Sequence, residues 1–337
     1  MEIIKKQGVW HLFDKHVTVI ITDEKQLESI IEDPSRPIFG NEDRGFSGEK
    51  EKLYKENTSL IDICREGQKQ GAKRLELSYD FFFGGSRRTN YPDSEITLKA
   101  FKVIHDIAEE YGMGFSASII SPLDIGGGYA QKHKETGYTY QYQEGAIDPA
   151  SGNYSVEMVL QKQWYNNKGP IELKLEDVLV FAFKEEQIED TNYFYVNPDE
   201  IIDISHTAQY DADHENVTIT NAGYGYSPLK VYGRWQENTG RYDRCLAVAV
   251  YRTPELDYFS PNALPYIKSI IDMHNEAGID YQGFYSDEMH IQFDWDLGTH
   301  FGHTEINTRY ITPNLISEYS KRYGDEYKDF LKYLIYL

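Results

Sequence analysis

SEITLKAFKVIHDIAEEYGMGFSASIISP, which spans residues 94–122, is the stretch that decides the fold class. Ser94 is placed to cap a helix, the apolar residues after it recur at helical spacing, and Gly112 ends the pattern. An apolar run over residues 115–120 then predicts a buried strand. A helix followed at once by a buried strand is the repeating unit of a parallel sheet, so this stretch predicts an α/β protein.

Two more stretches repeat this pattern, and a glycine again ends each helix. Residues 59–85, SLIDICREGQKQGAKRLELSYDFFFGG, predict a helix and then a strand over residues 74–80. Residues 260–288, SPNALPYIKSIIDMHNEAGIDYQGFYSDE, predict a helix capped by Ser260 and a strand over residues 281–286. The apolar face expected of that last helix consists of Leu264, Ile267, Ile271 and His274.

Two apolar runs add candidate strands, HVTVIIT at residues 16–22 and RCLAVAVYR at residues 244–252. Helices that alternate with buried strands predict a parallel sheet, either doubly wound or closed into a (β/α) TIM-type barrel. We favour the barrel, because side chains capable of chemistry follow several strands, and barrel active sites lie there. The glycines of DIGGGYAQKH, residues 124–133, lack the spacing of a phosphate-binding loop.

The middle of the chain has a different texture. Residues 136–243 alternate apolar with polar side chains and are rich in Tyr, Asn, Asp and Gly, which predicts antiparallel strands. We therefore expect a first half of the barrel over residues 1–135, a β-rich insertion on its catalytic side, and further barrel units over residues 244–337. Fewer strands are clear than the eight that closure requires. We expect an incomplete barrel and the N-terminal portion of a longer protein.

Charge and composition exclude several classes of partner. The chain of 337 residues carries 34 Lys and Arg against 55 Asp and Glu, a net charge of −21. Such a surface repels nucleic acid and anionic lipid. The two cysteines make no disulfide framework, and no apolar stretch reaches membrane-spanning length, so we expect a cytoplasmic protein. The 28 Tyr and 4 Trp suit contact with sugar rings, although Tyr also favours strands.

Acidic, basic and aromatic side chains gather where the predicted strands end, and Ser121 and Asp124 belong to this set. Cleavage of a glycosidic bond needs one carboxyl to protonate the leaving oxygen and another to act as base or nucleophile. Adjacent carboxyls oppose each other's ionisation, which suits an acid role for Glu288. The candidate catalytic residues are Glu288, Asp287 and Glu255. The candidate substrate-binding residues are Asp80, Tyr79, Arg87, Arg88, Arg252, Tyr285, Trp295, His300 and His303.

Some of these residues also have a purely structural interpretation. An acid at a strand end often caps a helix or pairs with an arginine, as Asp80 would do with Arg87 or Arg88. The same two arginines would alternatively clamp a carboxylate, such as that of a uronic acid. Asp93 and Asp257 lie near predicted helix starts and fit capping better than catalysis.

A metal site is the second chemical interpretation of the loop near the C-terminus. His300, His303 and Glu305 form H-x-x-H-x-E, and Asp294 and Asp296 lie close in sequence. The spacing matches no strict zinc signature, and the oxygen-rich composition suits calcium better. We therefore assign no metal ligand and no cofactor, with calcium as the metal that this loop would suit.

GFYSDEMHI at residues 283–291 and YITPNLISEYSKRYGDEYKDFL at residues 310–331 resemble large bacterial (β/α)-barrel glycoside hydrolases, including the α-L-rhamnosidase-like group. That group has a strand that ends in Asp-Glu, then a loop and a helix with an "eF-kRYG-dl" type of motif. The motif here consists of Glu318, Tyr319, Lys321, Arg322, Tyr323 and Gly324. LELSYDFFFGG and VYGRWQENTGRYDRCLAVAVY are also similar in layout to that group.

The resemblance implies a glycosidase that acts on a plant or microbial polysaccharide, with Glu288 as the general acid at the end of a mid-barrel strand. The second carboxylate of such enzymes usually comes from a later strand. Some of these enzymes depend on calcium, but the resemblance assigns that metal to no residue here. Two alternatives stay open: a carbohydrate-binding or scaffold barrel without catalysis, and a metal-dependent hydrolase that uses His300 and His303.

Overall fold

The structure is a computed structural model in which two compact units are distinguished. It describes residues 15–21, 24–39, 58–79, 89–135, 137–163, 175–212, 218–219, 225–238, 240–253, 256–286, 295–296, 305–324 and 326–336. The parallel-sheet unit comprises residues 1–134, 168–170 and 261–289. The β-rich unit comprises residues 135–167, 171–260 and 290–337. Among the described helices, none combines the length and the apolar character that crossing a membrane requires.

The strands are β1 (His16–Ile21), β2 (Arg74–Tyr79), β3 (Gly114–Ala117), β4 (Gly137–Ala146), β5 (Asn153–Gln163), β6 (Leu175–Phe183), β7 (Glu185–Gln187), β8 (Phe194–Val196), β9 (Ile202–Asp203), β10 (Ala208–Ala212), β11 (Thr218–Ile219), β12 (Gly225–Arg234), β13 (Arg244–Thr253), β14 (Tyr281–Phe284), β15 (Trp295–Asp296) and β16 (Glu305–Ile311). The α-helices are α1 (Glu24–Glu32), α2 (Leu60–Lys69), α3 (Glu95–Glu110), α4 (Pro122–His133), α5 (Ala263–Glu276), α6 (Pro313–Tyr323) and α7 (Tyr327–Leu331). Short 3-10 helices are Pro198–Glu200, Ser205–Thr207 and Lys332–Tyr336.

A four-stranded parallel sheet in the order β1-β2-β3-β14 forms the centre of the parallel-sheet unit. Each strand lies beside the next strand of this unit in chain order. Right-handed crossovers between parallel strands that advance in one direction place their helices on one face of the sheet. A doubly wound sheet instead reverses its order and covers both faces. The observed order is one that the winding of a (β/α) barrel produces. Because the described residues hold only four of these strands, the TIM-type barrel stays a prediction.

The three helix–strand units predicted from the sequence are confirmed in this sheet. Ser94 caps α3 by accepting a hydrogen bond from the backbone N–H of Thr97. Gly71, Gly112 and Gly278 follow the three helices with φ angles of 79°, 70° and 76°, a left-handed conformation that favours glycine. The predicted strand at the start of the chain is also present, as β1.

The start and the buried face of α5 differ from the prediction. Asn262, not Ser260, precedes the helix, and the Ser260 hydroxyl instead donates to Glu135 at 2.7 Å. The buried residues are Ala263, Tyr266, Ile270 and His274, whereas Leu264 is 66% exposed. Two neighbouring stripes of this helix both have apolar residues at helical spacing, so periodicity alone did not separate them. The large ring of Tyr266, which contacts Tyr129, occupies the buried stripe.

The β-rich unit is a stack of two antiparallel sheets and a layer of C-terminal helices. Its larger sheet has the order β15-β16-β4-β13-β6-β9, and its smaller sheet is built around β12, which pairs with β5, β10 and β11. One apolar core lies between the two sheets and includes Val156, Val180, Val231 and Ala247. A second core on the other face of the larger sheet includes Tyr140, Phe181, Val248, Ile316 and Leu331.

RCLAVAVYR is not a strand of the parallel sheet, which corrects the prediction. It forms β13, which lies between β4 and β6 and is antiparallel to both. Its alternate residues enter the two different cores: Cys245, Ala247, Ala249 and Tyr251 enter one, and Leu246, Val248 and Val250 enter the other. Burial on both faces therefore explains the continuous apolar run. The β-rich unit consequently extends past residue 243, where we had placed its boundary.

Candidate functional site: the carboxyl edge of the parallel sheet

The carboxyl ends of β1, β2, β3 and β14 lie at one edge of the sheet, because the four strands are parallel. Strand β2 ends at Tyr79, directly before Asp80 in the sequence. Strand β14 ends at Phe284, three residues before Asp287. Asp80, Asp287 and Glu288 themselves lie outside the described residues. This edge is the candidate functional site.

A buried carboxylate follows β3, the strand between β2 and β14. The Ser118 hydroxyl donates to Asp124 at 2.6 Å, and both residues are about 5% exposed. The Ser118 N–H donates to the Leu77 carbonyl at 3.1 Å, which holds the residue after β3 against β2. Asp124 lies in the first turn of α4, where the helix dipole favours a negative charge. The fold therefore holds one acid of the predicted set firmly at this edge.

Two serine hydroxyls near the same edge are buried and have no hydrogen-bond partner among the described residues. They belong to Ser116, within β3, and Ser286, just after β14. Ser116 lies opposite Gly283, and a Cβ built on that glycine would lie 3.4 Å from the serine oxygen. A buried hydroxyl without a partner costs about 1–3 kcal/mol. Each of these two hydroxyls is therefore a donor and acceptor that a bound polar group would satisfy.

The face of the sheet opposite its helices is polar. Phe115 of β3 lies on the helix side, where its ring meets those of Phe101 and His105 in α3. The register places Thr18, Glu76 and Ser116 side by side on the other face. Glu76 pairs there with Arg74 at 3.5 Å. The interior of a barrel is usually packed with branched apolar side chains, so this face is better suited to a polar neighbour.

Exposed rings complete the described part of the edge. Phe284 and Tyr285 are exposed at the end of β14. The Tyr285 N–H donates to the Ala117 carbonyl at 3.2 Å, so the backbone of this predicted binding residue stays fixed to β3. An exposed ring on fixed backbone is a suitable stacking surface for a sugar.

Some of the predicted site residues belong to the β-rich unit and not to the parallel-sheet unit. Arg252 lies in the β-rich unit, where its Nε is 2.6 Å from Glu176 on the neighbouring strand. Trp295 lies in β15, whose backbone pairs with β16. Tyr79 ends β2. The predicted residues outside the described part of the chain are Asp80, Arg87, Arg88, Glu255, Asp287, Glu288, His300 and His303.

Sequence reasoning missed Ser116 and Ser118, although it noted Asp124. Both serines interrupt an apolar run that was assigned only to a strand. The available signal was their spacing, since residues two apart in a strand share one face.

One group of potential metal ligands occurs among the described residues, namely His105, Asp106 and Glu109 on α3. The Asp280 N–H donates to Nε2 of His105 at 3.2 Å, while Nδ1 lies 3.0 Å from Asp106. Lys102 is bound to the same Asp106 carboxylate. Because both ring nitrogens are occupied and an ammonium group faces the acid, the cluster is suited to holding α3 in place. His300 and His303 of the predicted H-x-x-H-x-E site lie outside the described residues.

No protein-family model, no curated protein and no solved structure matches this chain. Its function must therefore be argued from its own residues.

Proposed function

We propose that this chain is a glycoside hydrolase of the (β/α)-barrel kind that it resembles. Its substrate would be a plant or microbial polysaccharide, cleaved by carboxylate acid–base catalysis. The observation that carries the proposal is the consecutive order of the parallel strands. This order brings the ends of β2, β3 and β14 to one edge, and an acid follows each of them in the sequence. The cytoplasmic location predicted from the sequence belongs to the same proposal.

The strand order also ranks the candidates for the second carboxyl. Neighbouring strands lie about 4.8 Å apart, so the ends of β2 and β14, on either side of β3, are roughly 10 Å apart. Catalytic carboxyls of glycosidases are separated by about 5 to 9.5 Å. The backbones at these strand ends are thus slightly farther apart than that range, and side chains that lean towards each other would bring the two carboxyls within it, so Asp80 after β2 is the candidate partner of Glu288 after β14. Glu255 is the weaker candidate for the second carboxyl, because β13 before it belongs to the antiparallel sheet.

The described groups at the edge suit a sugar ligand. Ser116 and Ser286 offer hydroxyls that have no partner in the described part of the chain, and Tyr285 offers an exposed ring. Sugars present both hydroxyl groups and apolar C–H faces, and these three side chains match both features. A non-catalytic sugar-binding protein would use the same groups, so turnover must be measured directly.

Glu288→Gln is the decisive substitution, tested on polysaccharides and on alkyl glycosides, whose leaving oxygen must be protonated as it departs. Loss of a general acid costs about 10²–10⁴ in rate while binding is retained. Glu276→Gln is the matched control, because it makes the same chemical change at the exposed end of α5. A Glu288→Gln protein that retains full turnover would refute the assignment. Sugar binding without turnover in the unmodified protein would instead support the non-catalytic alternative.

A further inference from the structure

Ser116 and Ser118 lie on the same face of β3, but their hydroxyl groups have different surroundings. The two residues are two apart in the strand, so both side chains point away from α3. The Ser118 hydroxyl donates to Asp124 at 2.6 Å, whereas the Ser116 hydroxyl has no partner in the described part of the chain. Both residues are only 5% exposed. Ser116 therefore holds a buried donor and acceptor that the protein itself does not use.

The position opposite Ser116 lacks a side chain. Gly283 of β14 occupies it, and a Cβ built on this glycine would lie 3.4 Å from the Ser116 hydroxyl oxygen. Apart from the glycine's chain neighbours, no other described atom would lie within 4 Å of that Cβ. The space beside Gly114 of β3 is different, because the Gln282 side chain fills it. Gly283 thus leaves open an approach to the Ser116 hydroxyl.

The backbone conformation does not explain the glycine at position 283. The register of β14 shifts between Tyr281 and Gly283, and glycine is common at such irregularities. However, the φ angle of Gly283 lies outside the left-handed region that favours glycine, unlike that of Gly278. A Cβ at 3.4 Å from the serine oxygen is an ordinary contact, so the fold would accept alanine there. A glycine inside a strand also marks places where a ligand approaches the backbone closely.

Ser116 is a costly choice for the protein without a ligand. A buried hydroxyl that finds no partner destabilises the folded state, and an apolar residue of similar size avoids that loss. The inner face of a barrel sheet is usually apolar. A ligand group that bonds to the hydroxyl would remove the penalty, so the hydroxyl is suited to the liganded state.

We propose that Ser116 is a specificity-determining residue of the candidate site and recognises one hydroxyl group of the bound sugar through the space beside Gly283. Each of the two hydroxyl groups can donate one hydrogen bond and accept another, so a ligand hydroxyl uses both capacities of the serine. The choice of a sugar as ligand rests on the proposed function. The contact itself rests on the buried hydroxyl and the open position opposite it.

A cycle of substitutions in the protein and in the ligand tests this contact. The probes are methyl 1-thioglycosides of common hexoses and 6-deoxyhexoses, which resist hydrolysis, and the single-deoxy derivatives of the one that binds best. Calorimetry measures their binding to the whole chain. At one ring position, removal of the ligand hydroxyl should weaken binding to the unmodified protein at least about fivefold. The same removal should change binding to Ser116→Ala by less than about twofold, because the partner is already absent.

Gly283→Ala tests the open approach to the serine. Its Cβ would lie beside the Ser116 hydroxyl, so this variant should bind the parent thioglycoside more weakly and lose the preference at the same ring position. Ser227→Ala is the matched control for Ser116→Ala. The Ser227 hydroxyl is also buried and without a partner among the described residues, but it lies in the β-rich unit, so its loss should leave binding unchanged.

Stability without ligand separates this role from a structural one. The midpoint of urea unfolding should be unchanged or higher in Ser116→Ala, because that hydroxyl has no described hydrogen bond to lose. Ser118→Ala should lower the midpoint, because it removes the bond to Asp124. A lower midpoint in Ser116→Ala together with unchanged binding would show a structural role and overturn the proposal.

Two other results would also overturn the proposal: no binding of any thioglycoside to the unmodified protein, and equal losses for every deoxy derivative with and without the Ser116 hydroxyl. Polysaccharide hydrolysis distinguishes the two levels of inference. Turnover by a protein whose ligand preference does not depend on Ser116 would refute this contact alone. The expected binding pattern in a protein without turnover would support the contact and refute only the proposed catalysis.

Discussion

Protonation of His274 should destabilise the parallel-sheet unit at mildly acidic pH. The ring is fully buried, its Nε2 lies 2.7 Å from the Pro92 carbonyl, and its Nδ1 lies 2.7 Å from the Tyr281 hydroxyl. A neutral ring satisfies both contacts by donating from Nε2 and accepting at Nδ1. Burial lowers the pKa of His274, although the Pro92 carbonyl and the Asp93 carboxylate oppose the shift.

The sign and size of the effect follow from proton linkage. Below about pH 6.5 the unfolded chain binds a proton at His274, whereas the folded chain resists protonation of the buried ring. The contribution of the neutral ring to the free energy of unfolding is therefore fully present above that pH and is lost as the pH falls. The loss cannot exceed about 1.4 kcal/mol per pH unit. If the folded ring stays neutral, the loss of stability amounts to about 2 kcal/mol between pH 6.5 and 5.

Urea unfolding from pH 8 to pH 5 measures this dependence. We expect the His274→Gln variant to be less stable at every pH but to lose less stability on acidification, because the titrating group is gone. His206→Gln is the control, since His206 is exposed in a short 3-10 helix. An identical pH dependence in His274→Gln and in the unmodified protein would refute the reasoning.

Two further experiments test the packing of one helix and the strength of one ion pair. Gly128→Ala should lower the free energy of unfolding by about 1–2 kcal/mol despite better helix propensity, because its Cβ would lie 2.5 Å from the Tyr266 hydroxyl. Adding Tyr266→Phe removes the clashing oxygen and should restore part of the loss in calorimetry. Arg252→Ala and Glu176→Ala, combined in a double-mutant cycle, should show a coupling below about 1 kcal/mol, because both side chains are partly exposed. A larger coupling would show that this pair is more than a surface contact.

Local chemistry made the helices and strands of the parallel sheet predictable from the sequence. Ser94 and Gly112 act through contacts within a few residues, so their roles follow from the sequence alone. The prediction that Ser260 caps α5 was wrong because its hydroxyl donates a hydrogen bond to Glu135, which is 125 residues away. No local pattern records such a long-range partner.

The sequence predicted where in the fold the candidate site lies, but it did not predict the contacts between the residues of that site. The sequence pointed to the ends of the strands, and the strand order brings three of those ends together. Asp124 was noted, but its bond to Ser118 depends on how the chain folds back after β3. Arg252 was assigned to the site on the premise that its strand belongs to the parallel sheet, and that premise is wrong, because β13 lies in the antiparallel sheet.

That error shows what the hydrophobic pattern of a strand reports. A continuous apolar strand is expected in a parallel sheet, and alternation in an antiparallel one. Here β13 is continuous and antiparallel, whereas β2, with Leu75 and Leu77 buried and Glu76 between them, alternates in a parallel sheet. The pattern follows the number of apolar layers that cover the strand, and strand direction is only its usual correlate. Glu76 and Ser116 lie side by side on the face of β2 and β3 opposite the helices, and this polar character is the physical reason to look for the ligand there.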